Sequence, residues 1–162
     1  HQLVQNIDFA PTFLALAGVK KPAEMSGRSL QPLFKGDRVK NWRKDLYYHY
    51  YDYPTYHLVR KHDGVRNDRY KLIHFYGKGS DRAVQENKYQ RTPGTGEYYT
   101  YQALKKINYF RDDADIDYYE LYDLQTDPDE LNNIYGKPGT EKVTKQLLKR
   151  LADYRKTLKV DE

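Results

Sequence analysis

From Asn41 onward the chain turns from aliphatic to aromatic, with six of its 18 tyrosines falling between Tyr47 and Tyr56. Aromatic side chains favour pleated, half-buried surfaces, where they pack across neighbouring strands. Residues 45–51 (DLYYHYY) and 56–61 (YHLVRK) therefore read as strands on either side of Asp52, Tyr53 and Pro54. Val65–Arg66 and residues 69–76 (RYKLIHFY) read as a hairpin joined by Asn67 and Asp68, which tolerate the backbone of a tight turn. In its second strand Tyr70, Leu72, His74 and Tyr76 share one face and Lys71, Ile73 and Phe75 the other. Both faces are largely apolar, which predicts a central strand. A further strand is expected over 118–124.

Two helices frame these strands. Asn6 or Asp8 can cap a short one over 8–17, with Pro11 in its first turn and Gly18 at its end. Its apolar residues lie nearly all round, so it needs partners on several sides. At the other end, Val143, Leu147, Leu151, Tyr154 and Leu158 form one apolar stripe on a helix that opens after Thr140. This stripe is expected to lie on the sheet. The basic residues of 142–159 read as that helix's solvated face. Residues 20–40 are loop-like, and 77–117 carry only a helix expected over 100–109. Asp127 and Pro128 suggest a capped helical turn. The fold class is α+β, a small antiparallel sheet of about four strands covered by the carboxyl-terminal helix.

Composition narrows the chemistry. A mean hydropathy of -1.02 with 31% charged residues suggests disorder, but 18 Tyr, 5 Phe and a Trp oppose it. The net charge of +5 comes from 28 basic and 23 acidic residues that are interspersed, which argues against a nucleic-acid surface; contact with anionic glycans would give the same balance, and charge alone does not separate the two. With no cysteine there is no disulfide, thiolate nucleophile or cysteine-based metal site. No apolar run approaches the ~20 residues of a membrane span, and the start HQLVQNID is neither a signal peptide nor a Met start, so the chain is expected to begin in mid-protein.

Two stretches, IDFAPTFLALAGVKKPAEMSGRSLQPLF (7–34) and ELYDLQTDPDELNNIY (120–135), resemble the carboxyl-terminal third of type I sulfatases. That family hydrolyses sulfate esters with a formylglycine made from Cys or Ser in a Cys/Ser-x-Pro-Ser/Ala-x-Arg motif, which this sequence lacks. The resemblance implies that residues 1–40 are a stub of a large α/β sulfatase domain and 41–162 the carboxyl-terminal subdomain, with about 77–117 inserted. It implies a periplasmic or secreted parent that acts on a sulfated carbohydrate. Formylglycine and calcium would be supplied by the missing amino-terminal domain, with no cofactor held here. This chain alone would then be inactive and would contribute packing and part of the substrate rim. The apolar amino-terminal helix, without its sheet, would favour self-association. A non-catalytic carbohydrate- or polyanion-binding module is the alternative.

The segment YYHYYDYPTYHLVRKHDGVR (47–66) resembles the one that reaches the sulfate pocket in glycosaminoglycan and N-acetylglucosamine-6-sulfatase-like members. By that resemblance His57, His62 and Arg66 are candidate substrate contacts, and Tyr53 a sugar-stacking one. Imidazoles bond sugar hydroxyls, and Arg pairs with sulfate or carboxylate oxygens. The alternatives are structural histidines, an Arg66 paired with Asp63 or Asp68, and aromatics that only pack on one another. His49 and His74 read as packed among aromatics. Asp113, Asp115 and Asp117 resemble a calcium loop, but Tyr118 and Leu124 stand where it needs Gly and Glu. No catalytic residue and no metal ligand is expected.

Overall fold

The computed structural model describes residues 2–34, 36, 39–51, 59–78, 90–107 and 115–160. It divides into two compact units, His1–Leu46 with Arg66–Arg69, and Tyr47–Val65 with Tyr70–Glu162.

In the first unit a 3-10 turn, Asn6–Asp8, runs into helix α1 (Phe9–Leu16). Asp8 stands at the start of α1, yet its carboxylate makes no bond that caps this helix. It accepts instead from the backbone N–H of Gln5 (2.8 Å) and Arg28 (2.9 Å) and from both terminal nitrogens of Arg43. A fully buried carboxylate needs a cation more than α1 needs a cap. Thr12 completes the latch, donating to the Asp8 carbonyl (2.6 Å) and accepting from the Leu30 N–H (2.8 Å). The close approach requires Gly27, where a Cβ would stand 1.9 Å from the Ile7 carbonyl oxygen. The sequence pattern 7–34 is therefore a helix start and a loop fastened together. Phe9, Phe13 and Leu16 of α1 remain exposed.

The remaining elements are strands β1 (Asp45–Tyr50), β2 (His62–Asn67) and β3 (Tyr70–Gly77), helix α2 (Gly96–Lys106), strand β4 (Ile116–Asp123) and helix α3 (Glu141–Leu158). The strands form one antiparallel sheet in the order β1-β2-β3-β4. In the β3–β4 ladder Leu72 faces Leu121 and His74 faces Tyr119. Leu147 and Leu151 of α3 close on Val65, Leu72 and Leu121 to make the core. Each such side chain contributes roughly 1.5–3 kcal/mol on burial.

The expected α+β architecture is found, with several boundaries moved. Of the strand expected over 56–61, residues 56–58 lie outside those described and 59–61 are not strand; β2 starts at His62. Its alternation was hidden because a charged residue, Asp63, points to the core side. The helix expected over 100–109 starts at Gly96, where the Thr95 hydroxyl accepts from the Tyr98 N–H. Asp127 caps turns, accepting from Leu131 and Asn132, with no helix following. The apolar stripe of α3 ends early, since Leu158 is exposed. The pattern 120–135 has a mechanical reason. Asn133 accepts from the N–H of Leu121 (3.0 Å) and donates to the Tyr119 carbonyl (3.2 Å), which stitches the following segment to β4.

Candidate functional site

The strand period of two sends alternate residues of β2 to opposite faces. Asp63 and Val65 face α3, while His62 and Gly64 face away. On the helix side Asp63 is fully buried. Its charge is met by Arg155 of α3, whose Nε and Nη2 each donate to one carboxylate oxygen at 2.7 Å. Tyr47 adds a third bond from its hydroxyl at 3.1 Å. Burial first, and then the Asp63 charge, push the Tyr47 hydroxyl above the ordinary tyrosine range. Arg155 also donates from Nη2 to His74 Nδ1 (2.5 Å), which fixes the imidazole hydrogen on Nε2, where it donates to Asp117 Oδ1 at 2.8 Å. The His74 ring stacks on Tyr119 with centroids 4.2 Å apart. A line of bonds thus runs from buried Asp63 to exposed Asp117.

Nearby, His49 Nε2 meets the Tyr76 hydroxyl at 2.5 Å. Burial holds the His49 pKa below its ordinary value, and the Arg155 and His62 charges push the same way against Asp63.

On the opposite face His62 is clamped among rings. Tyr50 stacks on it with centroids 5.5 Å apart, Phe75 lies at 5.2 Å and Tyr48 meets it edge-on. Its Nδ1 bonds the Arg60 carbonyl at 2.7 Å, which makes Nδ1 the donor and leaves Nε2 as an acceptor. Gly64 has to be glycine, because a Cβ there would stand 2.6 Å from both the Leu72 carbonyl oxygen and the Tyr48 hydroxyl. On the same face Glu120 accepts from the Tyr122 hydroxyl (2.9 Å), and burial with that bond pushes Tyr122 up to about 12.

A family model described as N-sulphoglucosamine sulphohydrolase, C-terminal, matches residues 1–91 and 97–157. The chain belongs to this sulfatase family. It is 37% identical over 156 residues to N-acetylglucosamine-6-O-sulfatase of Bacteroides thetaiotaomicron, covering 95% of the chain and 21% of that relative. It is 30% identical to human N-acetylglucosamine-6-sulfatase over 137 residues, 82% of the chain and 22% of the relative. A solved structure of a protein in complex with its substrate D-glucosamine-2-N,6-O-disulfate superposes with a TM-score of 0.69 at 36% identity, over 96% of this chain and 24% of that one. The chain thus spans about a fifth to a quarter of the length of these relatives and corresponds to a sulfatase carboxyl-terminal portion.

Of the sulfatase rim residues expected from sequence, Tyr53 and His57 lie outside the described residues. His62 is at the start of β2 in the second unit, and Arg66 is an exposed residue of β2 that falls in the first unit. Asp63, one acid offered to Arg66, is taken by Arg155. Sequence reasoning offered Asp63 only as a partner for Arg66, read Arg155 as solvated, and missed the pair that Asp63 and Arg155 form. The Arg155 side chain is only 17% exposed. His74 is packed on a ring as expected and is also the bridge in the network. Among the described residues no group of three or more His, Asp or Glu side chains is placed to hold a metal ion. No described helix is long and apolar enough to cross a membrane.

Proposed function

We propose that this sulfatase portion serves a protein that hydrolyses a sulfate ester on a carbohydrate of the glycosaminoglycan class, and that it supplies part of the substrate rim rather than the reacting groups. The family match over nearly the whole chain carries this reading, and it is supported by relatives named for N-acetylglucosamine-6-sulfate hydrolysis. The nucleophile, which the family makes as formylglycine, and calcium both belong to the rest of the protein on this reading. This chain holds neither the maturation motif nor, among the described residues, a metal-binding cluster. The family match is what supports a periplasmic or secreted location for the complete protein.

The rim role falls to His62 and Arg66 among the described residues, together with His57 and Tyr53. His62 offers an acceptor Nε2 on a ring that its neighbours hold still, which suits a sugar hydroxyl. The Tyr48 and Tyr50 hydroxyls beside it are shielded and have no partner among the described residues. Such groups usually find a bond partner in the complete assembly.

In the complete protein, His62→Ala and Arg66→Ala should each lower kcat/KM on the sulfated glycan by about one to two decades, the worth of a hydrogen bond to a charged or sugar group. A small aryl sulfate, which has no sugar hydroxyls, should be spared. Equal losses on both substrates would place these residues at the sulfate group itself, and no loss on either would make them structural. The chain alone should release no sulfate from either substrate. Release that scales with its concentration in a clean preparation would overturn the division of labour.

A further inference from the structure

His62 opens β2, and its ring is fixed from several sides. Its Nδ1 donates to the Arg60 carbonyl at 2.7 Å, Tyr50 of β1 stacks on it with 20° between the planes, and Phe75 of β3 lies 5.2 Å away between centroids. Tyr48 closes a further side edge-on. Aromatic neighbours at these separations fix orientation as well as burying area. The imidazole therefore has little freedom to turn.

Two properties of Nε2 decide what it can hold. First, the bond to Arg60 puts the ring hydrogen on Nδ1, so Nε2 presents a lone pair and accepts only. No carboxylate among the described residues bonds Nε2 to draw a second hydrogen there. Second, this atom is open. The Tyr48 and Tyr50 hydroxyls beside the ring are shielded and unpartnered, whereas Nε2 is not among the shielded atoms and has no partner among the described residues. An acceptor held in one orientation loses little freedom when a donor arrives.

A sugar hydroxyl or amide N–H can donate to such a nitrogen. An ether, sulfate-ester or carboxylate oxygen brings lone pairs alone, so lone pair would face lone pair and the bond would be lost. Sites built to bond a substrate hydroxyl reject analogues that lack it far more sharply than apolar pockets reject a change in size. We infer that His62 is a specificity determinant: it requires a free hydroxyl or N–H at the sugar position it faces, and rejects the substrate when that position is sulfated or alkylated. Tyr50 is then a positioning residue that sets the plane of the imidazole. The inference rests on the rim role of His62 given above and adds which substituent that rim tolerates.

The test compares kcat/KM of the complete protein on N-acetylglucosamine 6-sulfate with analogues in which one free ring hydroxyl at a time is an O-methyl ether, an acceptor without a donor. One analogue should fall by roughly ten- to a hundredfold, the worth of one such bond. His62→Gln presents a donor and an acceptor together, and should bring that ratio to within about threefold of unity with an unchanged melting curve. A purely steric clash with the methyl group would persist in this variant. Tyr50→Phe keeps the stacked ring and should keep the preference, while Tyr50→Leu, which removes the same hydroxyl, should lose most of it. Equal turnover of all analogues by the unmodified protein, or a full preference retained in His62→Gln, would overturn the inference. A preference retained in Tyr50→Leu would overturn the positioning role. Failure of the rim reading itself would show differently, as unchanged kcat/KM on the unmodified sugar sulfate in His62→Ala.

Discussion

Arg155 shows how one side chain can matter more than its neighbourhood suggests. It sits in a run of lysines and arginines on α3, yet it is the cation that lets Asp63 be buried. Removing one partner of a buried, hydrogen-bonded ion pair leaves an uncompensated charge, at about 3–5 kcal/mol. Arg155→Ala should therefore lower the unfolding free energy by about that much in urea titrations. The same change at Arg150, whose pairing with Asp153 at 3.8 Å is half exposed, should cost about 1 kcal/mol or less. Equal effects at the two positions would mean that Asp63 finds another partner when Arg155 is gone.

At the scale of elements, α3 is held by few residues. Leu147 and Leu151 alone enter the fully buried cluster, while Val143 and Tyr154 pack at its margin. Leu151→Ala should cost roughly 2–5 kcal/mol, and Leu158→Ala, in the exposed last turn, well under 1 kcal/mol. Similar losses in a denaturation series would show that the stripe extends to the end of the helix. This helix was legible because its apolar spacing is local, and so was the β2–β3 hairpin, whose Asn67 side chain accepts from the Arg69 N–H at the turn. The start of β2 was not. Its inward residue is a carboxylate whose partner lies 92 residues away, and no window of sequence shows that an acid will be buried. For the same reason the Asp63–Arg155–His74–Asp117 line could not be read from the chain. The family pattern pointed to the rim at His62, and only the packed rings and the Arg60 carbonyl show how that imidazole is held.

For the whole molecule, the exposed apolar residues of α1 carry the argument. Phe9, Phe13 and Leu16 are 55%, 67% and 57% exposed, although α1 is firmly latched through Asp8, Thr12 and Gly27. A helix this well fixed keeps its apolar face presented, and a presented face of that kind drives association. Within a complete sulfatase, four to five times the length of this chain by its relatives' measure, we expect the remaining protein to cover it. Produced as these 162 residues alone, the chain should therefore sediment as dimers or larger species at micromolar concentration. Phe13→Asp should shift it toward monomer without melting the sheet, since α1 and the β3–β4 core belong to different units. In the complete protein the same change should instead lower thermal stability. A chain that stays monomeric with α1 ordered, or a complete protein indifferent to Phe13→Asp, would show that this face has no partner in the sulfatase.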